Sequence, residues 1–118
     1  MDSKTMIETA TGLLAITAVG GIVMAGMRFA GADRPPSWLA MLHGLLAGSG
    51  LTLLLYAGFA LGMGRLAWIG TGLLVLAALG GVYLNLTFHD KRVPLPKPII
   101  IVHAGLAVLG FLLIFFSL

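Results

Sequence analysis

The chain has 118 residues, of which 59% are hydrophobic and only 9% charged, with a mean hydropathy of +1.08. Soluble domains carry roughly 25% charged residues, so composition predicts an integral membrane protein, and the length allows one membrane domain. The formal net charge is +3 and cysteine is absent; the basic residues cluster at helix ends, which suits anionic lipid head groups or cofactor carboxylates rather than nucleic acid, and disulfides, iron–sulfur clusters, thiolate chemistry and Cys-based haem attachment are excluded.

Four apolar stretches, about 6–29, 37–61, 66–88 and 97–117, are each near the ~20 residues that cross ~30 Å of hydrocarbon. Backbone groups in lipid must be satisfied within the segment, which predicts helices. The first stretch is too long for a signal h-region, and its counterpart later in the chain is retained, so it reads as the first span. Gly31-Ala32-Asp33-Arg34-Pro35-Pro36 turns a first hairpin into the second span. Gly62-Met63-Gly64-Arg65 leads to the third, and Asp90-Lys91-Arg92-Val93-Pro94-Leu95-Pro96 turns a second hairpin into the fourth. Pro36, Pro96 and Pro98 suit helix starts, where a missing N–H costs nothing. Short connections imply antiparallel neighbours, so the expected fold is all-α: an integral membrane four-helix bundle, up-down-up-down.

The chain also repeats itself at an offset of 60 residues, with 1–60 matched to 61–118. Thr11, Gly12, Leu13 and Leu14 pair with Thr71, Gly72, Leu73 and Leu74; Gly20 and Gly21 with Gly80 and Gly81; Pro36 with Pro96; His43 with His103; Leu46, Ala47, Gly50 and Leu53 with Leu106, Ala107, Gly110 and Leu113. Each half holds an even number of spans, so the two-helix repeats are parallel, related by a pseudo-two-fold axis along the membrane normal. Arg28, Arg34, Lys91, Arg92 and Lys97 lie on the side of the hairpin loops, Lys4 and Arg65 on the other. The positive-inside rule then puts the loops in the cytoplasm and both termini outside, in an inner or plasma membrane. Trp38 and Trp68 fall near span ends, as belt residues do.

The shared positions step by three and four, drawing one stripe on each helix. The even-numbered helices thereby turn His43 and His103 toward a common centre. His43 lies about seven residues inside Pro36, roughly 10 Å below the loop-side interface at 1.5 Å per residue. Gly20, Gly21, Gly80 and Gly81 lie at a comparable depth, and glycine lets a flat, bulky ligand approach the backbone. Two level imidazoles facing a shared axis are the arrangement for bis-histidine ligation of one non-covalent haem b. Arg28, His89, Lys91 and Arg92 end the first and third spans on the loop side and are candidate propionate partners. Basic residues at that interface are expected in any case. His89 is matched by Phe29, so it reads as an interfacial histidine and not an axial ligand. Tyr83 and Asn85 are expected inside the third span near histidine depth, where they would bond a haem edge, line a quinone head-group pocket or form an interhelical hydrogen bond.

Histidines on the second and fourth helices and glycines on the first and third, in a four-helix membrane bundle, resemble the haem-binding core of b-type membrane cytochromes. The resemblance spans nearly the whole chain as architecture, without a long diagnostic motif. It implies His43 and His103 as axial ligands, with Gly20, Gly21, Gly80 and Gly81 as packing positions. The large cytochrome b subunits stack two haems with two histidines on each ligating helix; this chain has one per helix, which implies a single haem.

The expected function is single-electron transfer by a bilayer-embedded protein, with a quinone or a larger membrane redox complex as partner. The alternatives are a non-catalytic accessory subunit of such a complex, a pigment-binding protein with one chlorophyll per histidine, a bare metal site, and, last, a transporter suggested only by the repeat. A bare metal lacks a carboxylate or cysteine at histidine depth. The bland reading of the histidines is a bond to a backbone carbonyl, Ser49 or Thr52, although polar residues in spans are costly and usually functional. Met24, Met27 and Met41 have no methionine counterpart in the other half and read as gap-filling core.

Overall fold

The computed structural model describes residues 1–118 as four helices with no strand. Helix α1 is Ser3–Phe29, α2 is Ser37–Leu61, α3 is Arg65–His89 and α4 is Lys97–Phe116. These match the four expected spans to within a few residues. Helix α1 begins earlier because the Asp2 carboxylate caps it, accepting from the Thr5 N–H at 2.8 Å. The hydrogen bonds from Thr5 hold the Asp2 carboxyl below its ordinary range, so this capping is present at neutral pH and is lost as pH falls through the lowered value. Gly31 (φ +123°) and Gly62 (φ +88°) turn the chain after α1 and α2 in backbone conformations that a side chain resists.

Two features were not legible in the sequence. The last turns of α2 (Ala57–Leu61) and α3 (Asn85–His89) are π-helical, and they do not fall at equivalent places in the two halves.

Neighbouring helices run antiparallel. A Cβ on Gly50 would meet Leu14 and the Ala10 carbonyl, whereas one on Gly21 would meet His43, so α2 descends alongside α1. Gly70 faces Gly110 and Gly81 faces His103 in the same manner on α3 and α4. Small residues are what allow such approach in a membrane bundle. One crossing is backbone to backbone: a Cβ on Gly70 would lie 2.8 Å from the Gly110 carbonyl oxygen, and one on Gly110 would lie 2.9 Å from that of Gly70. Gly70→Ala and Gly110→Ala are therefore expected to destabilise the fold by about 1–3 kcal/mol. Gly12 and Gly72 face open space, and their alanine variants are expected to stay within about 0.5 kcal/mol of wild type. Unfolding in detergent by a mild denaturing detergent measures both pairs.

The bundle measures 43 × 22 × 20 Å. Its main core, including Ile7, Ala10, Leu14, Leu54, Leu74 and Ile114, fills the end bearing the termini. A smaller one, Leu84, Leu95 and Ile100, closes the end bearing the hairpin loops. The two loops are tied together: the Leu95 N–H donates to the Asp33 carbonyl (3.0 Å), Arg28 Nε to the Leu95 carbonyl (2.9 Å), and His89 Nε2 to the Pro35 carbonyl (2.8 Å). Large apolar side chains such as Val19, Ile22, Leu45, Leu79, Ile101 and Val102 point outward. All four helices are long and apolar enough to cross a membrane, and a hydrocarbon surround removes the cost that water would impose on that surface.

Two stretches of the chain carry the same exposure pattern 60 positions apart. Exposure runs identically, residue for residue, along 11–20 and 71–80, and again along 41–50 and 101–110. Thr11 and Thr71 each bond back to the carbonyl four residues earlier, Ile7 and Ala67.

Candidate cofactor site

His43 is the seventh residue of α2 and His103 the seventh of α4. At ~1.5 Å per residue both lie about 9 Å inside the loop-side helix starts. Each ring spends one nitrogen on the partner helix of its own hairpin. His43 Nδ1 is 2.9 Å from the Thr17 carbonyl oxygen, and His103 Nδ1 is 2.7 Å from that of Ala77. A carbonyl only accepts, so Nδ1 carries the proton and donates. In the neutral imidazole the lone pair is then on Nε2.

Glycine makes this contact sterically possible. The residue one turn beyond each accepting carbonyl is Gly21 or Gly81. A Cβ there would sit 3.0 Å from His43 Cε1 or 3.1 Å from His103 Cε1. Each ring occupies the space that a side chain would take. The preceding glycines are looser: a Cβ on Gly20 would be 3.9 Å from His43 Nδ1, and one on Gly80 would be 3.7 Å from His103 Nδ1.

The two rings lie edge-on across the bundle, with centroids 6.3 Å apart and planes inclined by 68°. Neither Nε2 bonds to the protein, and no buried side-chain nitrogen or oxygen lacks a partner. Each Nε2 is therefore open to space around it. The surrounding layer is open as well. Gly20, Gly21, His43, Ala47 and their counterparts Gly80, Gly81, His103 and Ala107 are half-buried, while Leu14, Gly50, Leu74 and Gly110 on one side and Leu39, Leu84 and Ile100 on the other are buried. The apolar core thus closes above and below the histidines and loosens around them.

The other expected site residues are placed differently. Arg28 is half-buried, and its guanidinium already bonds to the carbonyls of Leu95 (2.9 Å) and Ala32 (3.5 Å), as a clamp on the loops. His89 ends α3 at the loop side, and its side chain is buried there. It is 7% exposed, wedged between the hairpins on the Pro35 carbonyl, because the π-helical turn carries it under the loop. Lys91 and Arg92 are exposed at the loop tip. Tyr83 and Asn85 are exposed on α3, away from the face bearing Gly81 and Leu84, and the Tyr83 ring packs edge-on against Phe88. Ser49 and Thr52 bond to Leu45 and Gly48 of their own helix, not to the histidines. Met41 is exposed, with Met24 and Met27 half-buried.

The Thr17 and Ala77 carbonyls were invisible in the sequence, because a backbone acceptor leaves no residue type behind. Their one signal is spacing, since each histidine follows its acceptor by 26 residues. No group of three or more His, Cys, Asp or Glu side chains could hold a metal ion, so a metal here would have two protein ligands. No family model matches the chain, and no curated protein or solved structure matches it either.

Proposed function

We propose that the chain is a b-type membrane cytochrome that holds one haem between His43 and His103 and relays single electrons. The observation that carries this is the state of the two imidazoles. Metal-binding histidines characteristically donate their second ring N–H to a carbonyl or carboxylate, which fixes the tautomer and raises ligand basicity. Both rings do so, and both leave Nε2 free. The ring centroids are 6.3 Å apart, close enough for both imidazoles to reach one shared ion through metal–nitrogen bonds of about 2.0 Å. With only two protein donors, the remaining equatorial positions suit a macrocycle better than a bare ion. The half-buried layer around the two rings supports access to them from outside the apolar core.

In this reading haem supplies the one-electron chemistry, and the protein supplies binding, orientation and electrostatics. His43 and His103 are the axial and metal ligands. The Thr17 and Ala77 carbonyls hold their rings. Gly21 and Gly81 make room for the rings, and Gly20 and Gly80 widen the layer. Two protein ligands leave no open coordination position, which favours electron relay over oxygen chemistry. The matched surroundings support two parallel two-helix repeats about a pseudo-two-fold axis. The basic loops support a cytoplasmic placement of that end, in a lipid bilayer, with a quinone or a membrane redox complex as partner.

The test is an oxidised-minus-reduced spectrum of protein purified with haem supply. One redox-active haem per chain is expected, with a Soret and an α-band; a colourless protein would overturn the reading. A second role is favoured by the groove that Gly44, Gly48, Ser49 and Thr52 form on the outside of α2. Small residues of this kind let another helix pack closely, as an accessory subunit would require. Gentle extraction should then bring down a stable membrane partner, and a chain that runs alone counts against this role.

A further inference from the structure

Positive charge and the histidine layer lie toward the same end of the bundle. At ~1.5 Å per residue the histidines are about 9 Å from the loop-side helix starts and about 27 Å from the far end of α2. The loop end carries Arg34, Lys91, Arg92 and Lys97 against Asp33 and Asp90. None of these four cations is in an ion pair, whereas at the far end Lys4 is paired with Glu8 at 3.8 Å. Arg92 adds a second observation. It is the one non-glycine residue with positive φ, at +57°, in a position that glycine would take at lower cost. A guanidinium stands there instead, at the tip of the loop and exposed. A non-glycine residue in this conformation costs free energy, which motivates a role for the side chain that stands there.

We propose that the hairpin-loop face is the docking surface for a soluble, acidic one-electron carrier. The proposal rests on the haem reading above and adds a soluble partner to the membrane partner named there. Opposite charge steers such a carrier to the end from which an electron has the shorter path to the cofactor.

The test uses haem-loaded protein in phosphatidylcholine vesicles with flavodoxin hydroquinone as the acidic probe. The anionic hydroquinone loses one electron and becomes the neutral semiquinone; ferric haem gains it and becomes ferrous; no proton moves. Lys91→Glu/Arg92→Glu is expected to slow the second-order reduction roughly tenfold at low salt, with the difference shrinking in 0.5 M salt as screening shortens to a few ångströms. Lys4→Glu/Arg65→Glu, at the far end, should change the rate less than about twofold. Arg92→Gly separates docking from loop integrity: it should raise thermal stability by relieving the positive φ, yet slow the reaction. Equal effects at both ends, or rates independent of loop charge, overturn the proposal. So does a charge dependence found only in vesicles containing phosphatidylglycerol, which would assign these residues to lipid head groups. A normal Soret band with charge-independent rates removes this proposal alone, whereas absence of the Soret band removes the haem reading and the docking proposal with it.

Discussion

His43→Ala and His103→Ala are each expected to abolish haem retention through purification, while His89→Ala keeps it. The reason is geometric. Each ring meets the site through Nε2 because Nδ1 is bound to a carbonyl on the neighbouring helix, at 2.9 Å for His43 and 2.7 Å for His103. In the proposed site, removing either ring would take away one of two protein ligands, and no group of three or more His, Cys, Asp or Glu side chains lies there to replace it. Losing a residue that merely orients a metal ligand costs about 10- to 100-fold in affinity, and losing the ligand itself should exceed that. The fold should survive, because the main core around Ala10, Leu54 and Ile114 lies at the other end of the bundle. Unchanged helical circular dichroism beside a missing Soret band is the expected pair of readings. His43→Met sharpens the test: a thioether in place of the imidazole should restore some binding and raise the reduction potential, as His/Met ligation does. Soret bands retained in both alanine variants would place the cofactor elsewhere. His89 differs because its Nε2 is already spent on the Pro35 carbonyl; its loss should loosen the loops and leave the spectrum intact.

What could be read from the sequence follows a physical divide. The four helices were legible because each is a long apolar run, of the length and hydropathy that crossing a bilayer would need. The level placement of His43 and His103 was legible because helical rise converts equal distance from Pro36 and Pro96 into equal depth. The three-and-four spacing of the matched residues placed the two rings toward one centre, level with Gly21 and Gly81, but it read those glycines as room for a flat ligand, whereas the space beside them is taken by the imidazoles themselves. The rest depended on backbone groups and on local helical geometry. The carbonyls that fix the rings belong to Thr17 and Ala77, whose side chains differ and carry no common signal. The π-helical turn over Asn85–His89 ends α3 and seats His89 on the Pro35 carbonyl, whereas Tyr83 precedes that turn and is exposed as Val23 is at the matching position of α1. Arg28 was placed correctly along its helix, but its hydrogen bonds to Leu95 and Ala32 come from the fold of the second hairpin, which no local pattern encodes.

The second large effect is expected at adjacent glycines with opposite outcomes. Gly21→Ala and Gly81→Ala should each lower haem affinity about 10- to 100-fold, in line with the loss of groups that orient a metal ligand, and the double variant should retain none through purification. Gly20→Ala and Gly80→Ala should bind within about threefold of wild type. The contrast comes from a few tenths of an ångström. A methyl group at Gly21 would lie 3.0 Å from His43 Cε1, and one at Gly81 would lie 3.1 Å from His103 Cε1, closer than carbon atoms pack without displacement. At Gly20 and Gly80 the nearest ring atoms are 3.9 and 3.7 Å away, which is ordinary contact. The ring cannot retreat freely, since moving off the methyl stretches the Nδ1 bond that sets its tautomer, and rotating about that bond swings Nε2 off the shared axis. Helix stability cannot account for the difference, because replacing glycine by alanine favours a helix by a similar amount, roughly 1 kcal/mol, at all four positions. Haem titration beside thermal unfolding therefore separates the two causes. If Gly20 and Gly21 variants lose affinity equally, crowding of the whole layer is responsible, and the specific seat of each imidazole on its glycine is not what holds the ligand.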